Sequence, residues 1–291
     1  MSITKLKIED LQSRFKRNNI NPDCFIIHFN KGCELIKEPY RTNCFGICLV
    51  HSGVAKLKTG LVEHTVTAPA IIAMGPNVIR SWKGNKSSFI SEVIFFTEDF
   101  LNKSATNNFN LQQYSYFDNE YEHTFKISEI DFIKYNSIIQ LASTTIDNTS
   151  KNKFNVVRNL ISVLINDIDD LNDKKTPIKD LVHNNSTIIS FKKLLADNFK
   201  KERSIKFYAE TLFTTSKYLS QQVKQYSGKS ARLYIDEIII LEAKILLQNL
   251  NLNVAEITDI LNFSNQSFFG KFFKKYTGIS PLNYRKFLLE K

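Results

Sequence analysis

Gln221 and Lys271 stand at matching places in two twelve-residue stretches that begin at Ser216 and Gln266, fifty positions apart. Their chemistry is recognition rather than bond-breaking. Lysine donates to guanine edges or to phosphate, and glutamine pairs bidentately with adenine. On a helix, Ser216, Lys217, Ser220, Gln221 and Lys224 fall on one face. Gln266, Ser267, Gly270, Lys271 and Lys274 fall on the same face of the second stretch. Gly270 leaves bare backbone where a groove wall can approach. Lys217, Gln221, Gln266 and Lys271 lie nearest the helix starts, where side chains reach base edges, and Lys224 and Lys274 sit one turn further on, at phosphate. Either face alone would pass for the solvated side of a bundle helix. Two copies in register make double-stranded DNA the expected partner.

The elements that hold these faces repeat as well. Leu219, Gln222, Val223 and Tyr226 form an apolar stripe at helical spacing, as do Phe269, Phe272, Phe273 and Tyr276. Phe268 is expected to seal the flank of the second stripe. Gly228 and Gly278 follow at the same offset, each placed to end a helix in a left-handed conformation. Ahead of them, Ile205, Tyr208, Ala209 and Leu212 match Val254, Ile257, Thr258 and Leu261, forty-nine positions later. Asn253 and Glu256 have capping-box spacing. Only "FTTS" and "NFSN" separate the paired helices, so each copy reads as a helix-turn-helix. Between the copies, residues 231–249 form an apolar helix of about 28 Å. With its end turns it suits recognition helices set in successive major grooves, about 34 Å apart.

Charge agrees with this placement. The net charge is +10, and residues 186–291 hold 17 Lys and Arg against 9 Asp and Glu. Such asymmetry points to an anionic partner for the C-terminal part. The remainder reads differently. Runs such as "CFIIHFN", "CFGICLVHSG" and "SSFISEVIFF", from Cys24 to about Phe96, are β-branched and aromatic with turn residues between them, as in a small antiparallel barrel. Residues 127–171 switch to helical period. Their stripes, Ile130, Ile133 and Ile138, then Val157, Leu160, Ile161 and Leu164, exceed what a small barrel needs and predict a homodimer. "NDKKTPIKDLVHNNS", about residues 172–186, reads as a linker. The charged N-terminus and the lack of a long apolar run predict a cytoplasmic chain with no membrane contact. Cys24, Cys33, Cys44 and Cys48 fit no zinc spacing and read as buried reduced thiols. His28, His51 and His64 are not spaced as a metal set, so neither metal nor cofactor is expected.

The stretch "VAEITDILNFSNQSFFGKFFKKYTGISPLNYR", Val254 to Arg285, resembles the signature of the AraC/XylS family of bacterial transcription regulators: E-I-A, L-G-F, F-K-K, G-x-S-P and Y-R. The resemblance covers about residues 190–291. Thr258 and Asn262 replace the family's usual Ala and Gly, Phe213 replaces a Gly in the first turn, and Ile239 stands where an Arg is common. The N-terminal part resembles, by layout, the cupin-like sensor barrel of many such regulators, followed by two dimerising helices. "AIIAMGPNVIRSW" is similar to a barrel segment ending P-x-x-x-H-x-W, with Arg80 at the His position; Arg80 and Trp82 are its candidate ligand residues, suited to an anionic or aromatic effector. The fold expected is therefore α+β in two domains: residues 1–171, a small antiparallel β-barrel with two helices for sensing and dimerisation; a linker, 172–186; and residues 187–291, an all-α double helix-turn-helix. The resemblance implies a non-enzymatic regulator whose partners are promoter DNA, RNA polymerase, a small-molecule effector and a second copy of itself. The competing expectation is a metal-dependent cupin-type enzyme with a helical appendage.

Overall fold

The computed structural model describes residues 3–17, 21–29, 35–84, 89–103, 111, 114–118, 121–173 and 186–290. The chain divides into two compact units, one of residues 4–179 and one of residues 180–291 with residues 1–3. Cys33 and most of the expected linker, residues 174–185, lie outside the described residues.

Ten strands build the first unit: β1 (Thr4–Leu6), β2 (Cys24–Phe29), β3 (Tyr40–Thr42), β4 (Phe45–Ser52), β5 (Val54–Thr59), β6 (Val62–Thr67), β7 (Ala70–Met74), β8 (Arg80–Gly84), β9 (Ile90–Phe96) and β10 (Thr124–Lys126). They pair as two five-stranded sheets, in the orders β1-β3-β8-β5-β6 and β10-β7-β4-β9-β2, and no ladder joins the two among the described residues. All pairings are antiparallel except β1 with β3. The barrel expectation thus resolves into facing sheets, with β1 and a short helix, α1 (Ile8–Arg14), lying ahead of the anticipated first strand and a second short helix, α2 (Glu98–Asn102), following β9.

Strand periodicity explains the packing. Along β2, Phe25 and Ile27 turn toward Leu57 and Trp82 of the other sheet, in one apolar cluster. The intervening Cys24 and Ile26 turn toward Tyr135, Ile139, Val157 and Ile161 in another. Those four belong to α3 (Glu129–Ile146) and α4 (Lys153–Asp173), which cover the outer face of the β10-β7-β4-β9-β2 sheet. A sheet buried on both faces needs continuous apolar strands rather than alternating ones. "AIIAM" in β7 is such a strand.

The helical stripes divide accordingly. Val157, Ile161 and Leu164 are buried against the sheet and Leu160 is half-buried, so they are core rather than a surplus surface. Ile130 and Ile133, 80% and 63% exposed, are displayed with Leu141 and Val163. Cys24, Cys44 and Cys48 are buried free thiols. Burial pushes the Cys44 thiol up to about 11 and Cys48 to about 12, which keeps both un-ionised.

The second unit is all helix: α5 (Ser186–Asn198), α6 (Ile205–Thr211), α7 (Ser216–Ser227), α8 (Ala231–Gln248), α9 (Val254–Ile260), α10 (Gln266–Thr277) and α11 (Pro281–Leu289). Two apolar clusters meet along α8. Tyr234, Ile235 and Ile239 belong to the first, with α5, α6 and α7. Ala243, Leu246 and Leu247 belong to the second, with α9 and α10. Phe263 and Phe272 pack against both clusters. No helix among the described residues is long and apolar enough to cross a membrane.

Candidate nucleic-acid interface

Both short helix pairs form for the same local reasons. The Ser204 and Asn253 side chains cap the starts of α6 and α9, accepting from Lys206 N and Glu256 N, and Asn253 with Glu256 completes a capping box. Thr215 and Asn265 cap α7 and α10, accepting from Tyr218 N and Phe268 N at 3.1 and 3.0 Å. The turns between them share one geometry. Phe213 N donates to Glu210 O and Thr214 N to Ala209 O; Asn262 N donates to Asp259 O and Phe263 N to Thr258 O. Phe213 and Asn262 are both left-handed, at φ 53° and 55°. Gly228 and Gly278, at φ 72° and 81°, end α7 and α10.

Ala209 and Thr258 are each 1% exposed, as close crossing of the paired helices requires; the Thr258 hydroxyl is satisfied by donating to Val254 O at 2.8 Å. Leu219, Val223 and Tyr226 anchor α7, and Phe269 and Phe273 anchor α10. Opposite these anchors, Lys217, Gln221, Lys224, Gln266, Ser267, Lys271 and Lys274 are exposed, with Ser216, Ser220 and Gly270 half-exposed. The two faces thus assemble every residue expected of them. A Cβ at Gly270 would meet nothing within 4 Å, so no contact inside the unit requires glycine there. Neither helix contains an acidic residue. No ion pair among the described residues engages Lys217, Lys224, Lys271 or Lys274.

Two positions differ from expectation. Phe268 seals nothing: it is 61% exposed, because the third helical residue points away from the stripe that begins at Phe269. Tyr218, its counterpart in α7, is exposed as well. Each exposed ring stands in line with polar residues at i+3 and i+7, giving Tyr218–Gln221–Gln225 and Phe268–Lys271–Lys275. The matched offset of the two rings was the signal that could have found them.

The bridging helix α8 fixes the frame through two buried carboxylates. Asp236 accepts from Arg232 Nε at 2.9 Å and from the Tyr276 hydroxyl at 2.5 Å, tying α8 to α10. Glu242 pairs with Lys200 at 2.9 Å. Ile239, at the place where an Arg is common in the resembled family, is fully buried in the first cluster.

In the sheet unit, Arg80 and Trp82 both point between the sheets and are buried. Arg80 donates to Thr42 Oγ1 at 2.5 Å, and its guanidinium lies 5.5 Å from the Tyr40 ring centroid. His28 and His51 converge on Glu92, whose Oε2 lies 3.3 Å from His51 Nε2 and whose Oε1 accepts from His28 Nδ1 and from Gln140 Nε2. Burial pushes the Glu92 carboxyl up, but the two imidazoles more than offset this and hold it below its usual range. His64 bonds instead with Thr59 Oγ1. Among the described residues no group of three His, Cys, Asp or Glu side chains is arranged to hold a metal ion.

Known proteins are similar to parts of this chain. Residues 208–286 match the family model of a helix-turn-helix domain. Over 180 residues the chain is 29% identical to the Msm operon regulatory protein of Streptococcus mutans, covering 60% of this chain and 62% of that one. Over 97 residues it is 30% identical to the HTH-type transcriptional regulator YisR of Bacillus subtilis, covering 33% of this chain and 34% of YisR. The chain thus spans less than two thirds of the length of the curated relatives it matches. Among solved structures it is similar to ToxT of Vibrio cholerae, with a TM-score of 0.43 and 15% identity over 91% of this chain and 95% of that one.

Proposed function

We propose that this chain, whose residues 208–286 match a helix-turn-helix family model, is a sequence-specific DNA-binding transcription regulator of the AraC type that reads two successive major-groove segments with α7 and α10. One observation carries the proposal: two helix-turn-helix units repeat element by element, down to their left-handed turns and with one extra residue in the second turn, and each keeps an acid-free polar face unused by its own core. A scaffold helix has no reason to repeat such a face at a fixed offset. Gln221, Lys271, Lys217 and Gln266 contact base edges in this reading, while Lys224 and Lys274 hold phosphate. The regulatory names of the relatives support it.

The sheet unit would sense a signal, and RNA polymerase would be the partner that receives it. We also propose that two copies pair through the displayed face of α3 and α4, where Ile130, Ile133, Leu141 and Val163 leave apolar surface in water. Ile133→Glu with Leu141→Glu should convert a sedimenting dimer to monomer; a parent that sediments as monomer at micromolar concentration removes this part.

The test of the main proposal is selection of the full chain on random duplexes, followed by titration of the winning and scrambled sequences at several salt concentrations. The reading requires enrichment of a defined site and a log K that falls with log salt by about 0.9 for each phosphate neutralised. No enrichment, or affinity indifferent to salt, would reject it.

A further inference from the structure

Tyr218 and Phe268 are the third residues of α7 and α10, and each leaves its ring in water, 45% and 61% exposed. The rings nearby are used: Phe263 packs with Phe269 and Phe272, and Phe269 with Phe273. The backbone beneath each exposed ring is pinned, because Tyr218 N and Phe268 N donate to the capping side chains of Thr215 and Asn265. An aromatic side chain turns about only two bonds, so each ring has little freedom to lose on contact. One exposed ring is ordinary on any surface. Two at the same place in two helix-turn-helix units, each one turn ahead of Gln221 or Lys271, coincide with the recognition faces. Their exposed neighbours are Lys217, Gln221 and Gln225 in α7 and Ser267, Lys271 and Lys275 in α10. A lone ring among cations and amides suits an anionic partner that carries isolated apolar groups, not an apolar protein surface.

We propose that Tyr218 and Phe268 are specificity-determining residues that read thymine, each ring resting on a C5-methyl group in the major groove. The C5-methyl of thymine is the apolar group that bases present there, and phenylalanine is among the side chains that contact it. Residues three apart on a helix lie about 5–6 Å apart at their Cβ atoms, and bases rise by about 3.4 Å along a strand. Each ring therefore meets a base within about two positions of the one read by Gln221 or Lys271. Glutamine and lysine select adenine and guanine, so the rings add a thymine preference that the polar residues do not supply. The assignment deepens the proposed reading of DNA by α7 and α10 and rests on it.

The test begins with a duplex selected by the full chain. Each thymine of that site is then replaced singly by deoxyuridine, which lacks only the C5-methyl. At least one replacement in each half of the site should weaken binding about three- to fivefold, the effect of one buried methyl-sized group. Phe268→Ala should bind thymine and deoxyuridine alike at its own position and keep the penalty in the other half; Tyr218→Ala should do the reverse. Each such loss of sensitivity is a coupling between one ring and one methyl group, which a weaker grip on phosphate does not produce. Both rings are exposed, so truncation leaves the cores intact, and thermal melts check this. Should a variant not fold, the deoxyuridine scan of the parent chain decides alone. A selected site without thymine, a parent indifferent to every deoxyuridine, or variants that keep the parent's full set of penalties would overturn the assignment and leave the regulator reading in place. Selection of no duplex at all would remove both.

Discussion

Arg203 lies over the face of Phe263, its guanidinium carbon 3.8 Å from the ring centroid, and its terminal nitrogen donates to Leu261 O at 2.5 Å. The arginine precedes the first helix-turn-helix, and the ring sits in the turn of the second. One side chain therefore supplies the carbonyl cap of α9 and locks the two repeats together. A cation over a ring and a charged hydrogen bond together contribute about 2 kcal/mol. Arg203→Met should lower stability by about that amount in urea unfolding of the helical unit, and Arg203→Lys should recover little, since a compact ammonium cannot stack and cap at once. Full recovery by lysine would show that charge alone matters.

Phe213 and Asn262 occupy equivalent left-handed positions, but only asparagine tolerates that backbone well. The Phe213 ring is 99% exposed and packs on nothing. Phe213→Gly should therefore stabilise the unit by about 1 kcal/mol: relief of about 1–2 kcal/mol of backbone strain, less the added freedom of glycine in the unfolded chain. Asn262→Gly should change the unfolding midpoint much less. Loss of stability in Phe213→Gly would mean that the ring makes a contact in solution.

The recognition faces and the core beneath them predict four separable outcomes. Gln221→Ala or Lys271→Ala should cost about 1–3 kcal/mol on a selected site and relax preference at particular bases, whereas Lys274→Ala should weaken selected and scrambled duplexes alike and lower the salt slope by about one. Gly270→Ala should raise helix stability by about 0.5–1 kcal/mol, yet weaken DNA binding if the groove wall approaches that backbone. Phe273→Ala is a core truncation and should destabilise the unit by about 3–5 kcal/mol. Duplex titrations with parallel thermal melts distinguish these. Equal loss on both duplexes in Lys271→Ala would reduce that face to a backbone grip.

His123 predicts an acid limit for the sheet unit. It is fully buried, with Nδ1 donating to Tyr116 O at 2.9 Å and Ala73 O at 3.2 Å. Burial, aided by the nearby Arg80 charge, pushes the imidazole down from 6.5 to about 4 despite those bonds. Between these values the unfolded chain holds a proton that the folded chain refuses, so stability falls as pH falls. The slope is about 1.4 kcal/mol per pH unit, near 3 kcal/mol across the window. His123→Asn, whose amide nitrogen replaces Nδ1, should flatten stability between pH 6.5 and 4 in urea titrations. An unchanged slope would place the proton elsewhere.

The doubled helical unit was legible because helix periodicity, caps and left-handed C-termini are local signals, and two copies corroborate one another. Phe268 escaped because neighbouring residues on a helix differ by about 100°, so a stripe edge cannot be assigned from pattern alone. Val157, Ile161 and Leu164 gave a correct apolar face but not its partner: the sheet, rather than a second chain, covers it. Meeting of His28, His51 and Glu92 depends on three strands and on a register shift between Val50 and Ser52, and neither has a sequence signature. The alternation of Arg80 with Trp82 placed them on one side of a strand but did not say that this side was inward.

Because α8 gives its first half to one apolar cluster and its second half to the other, its length is a shared inheritance of both repeats. One inserted residue would turn one cluster against the other by about 100° and shift it by about 1.5 Å. Neither repeat could absorb that privately, since Phe263 and Phe272 belong to both. The surface residues of α7 and α10 can therefore diversify one at a time, each adjusting a single contact. The helix between them can change composition but not length, and descendants of this chain should differ freely in what they read while keeping the same interval between readings.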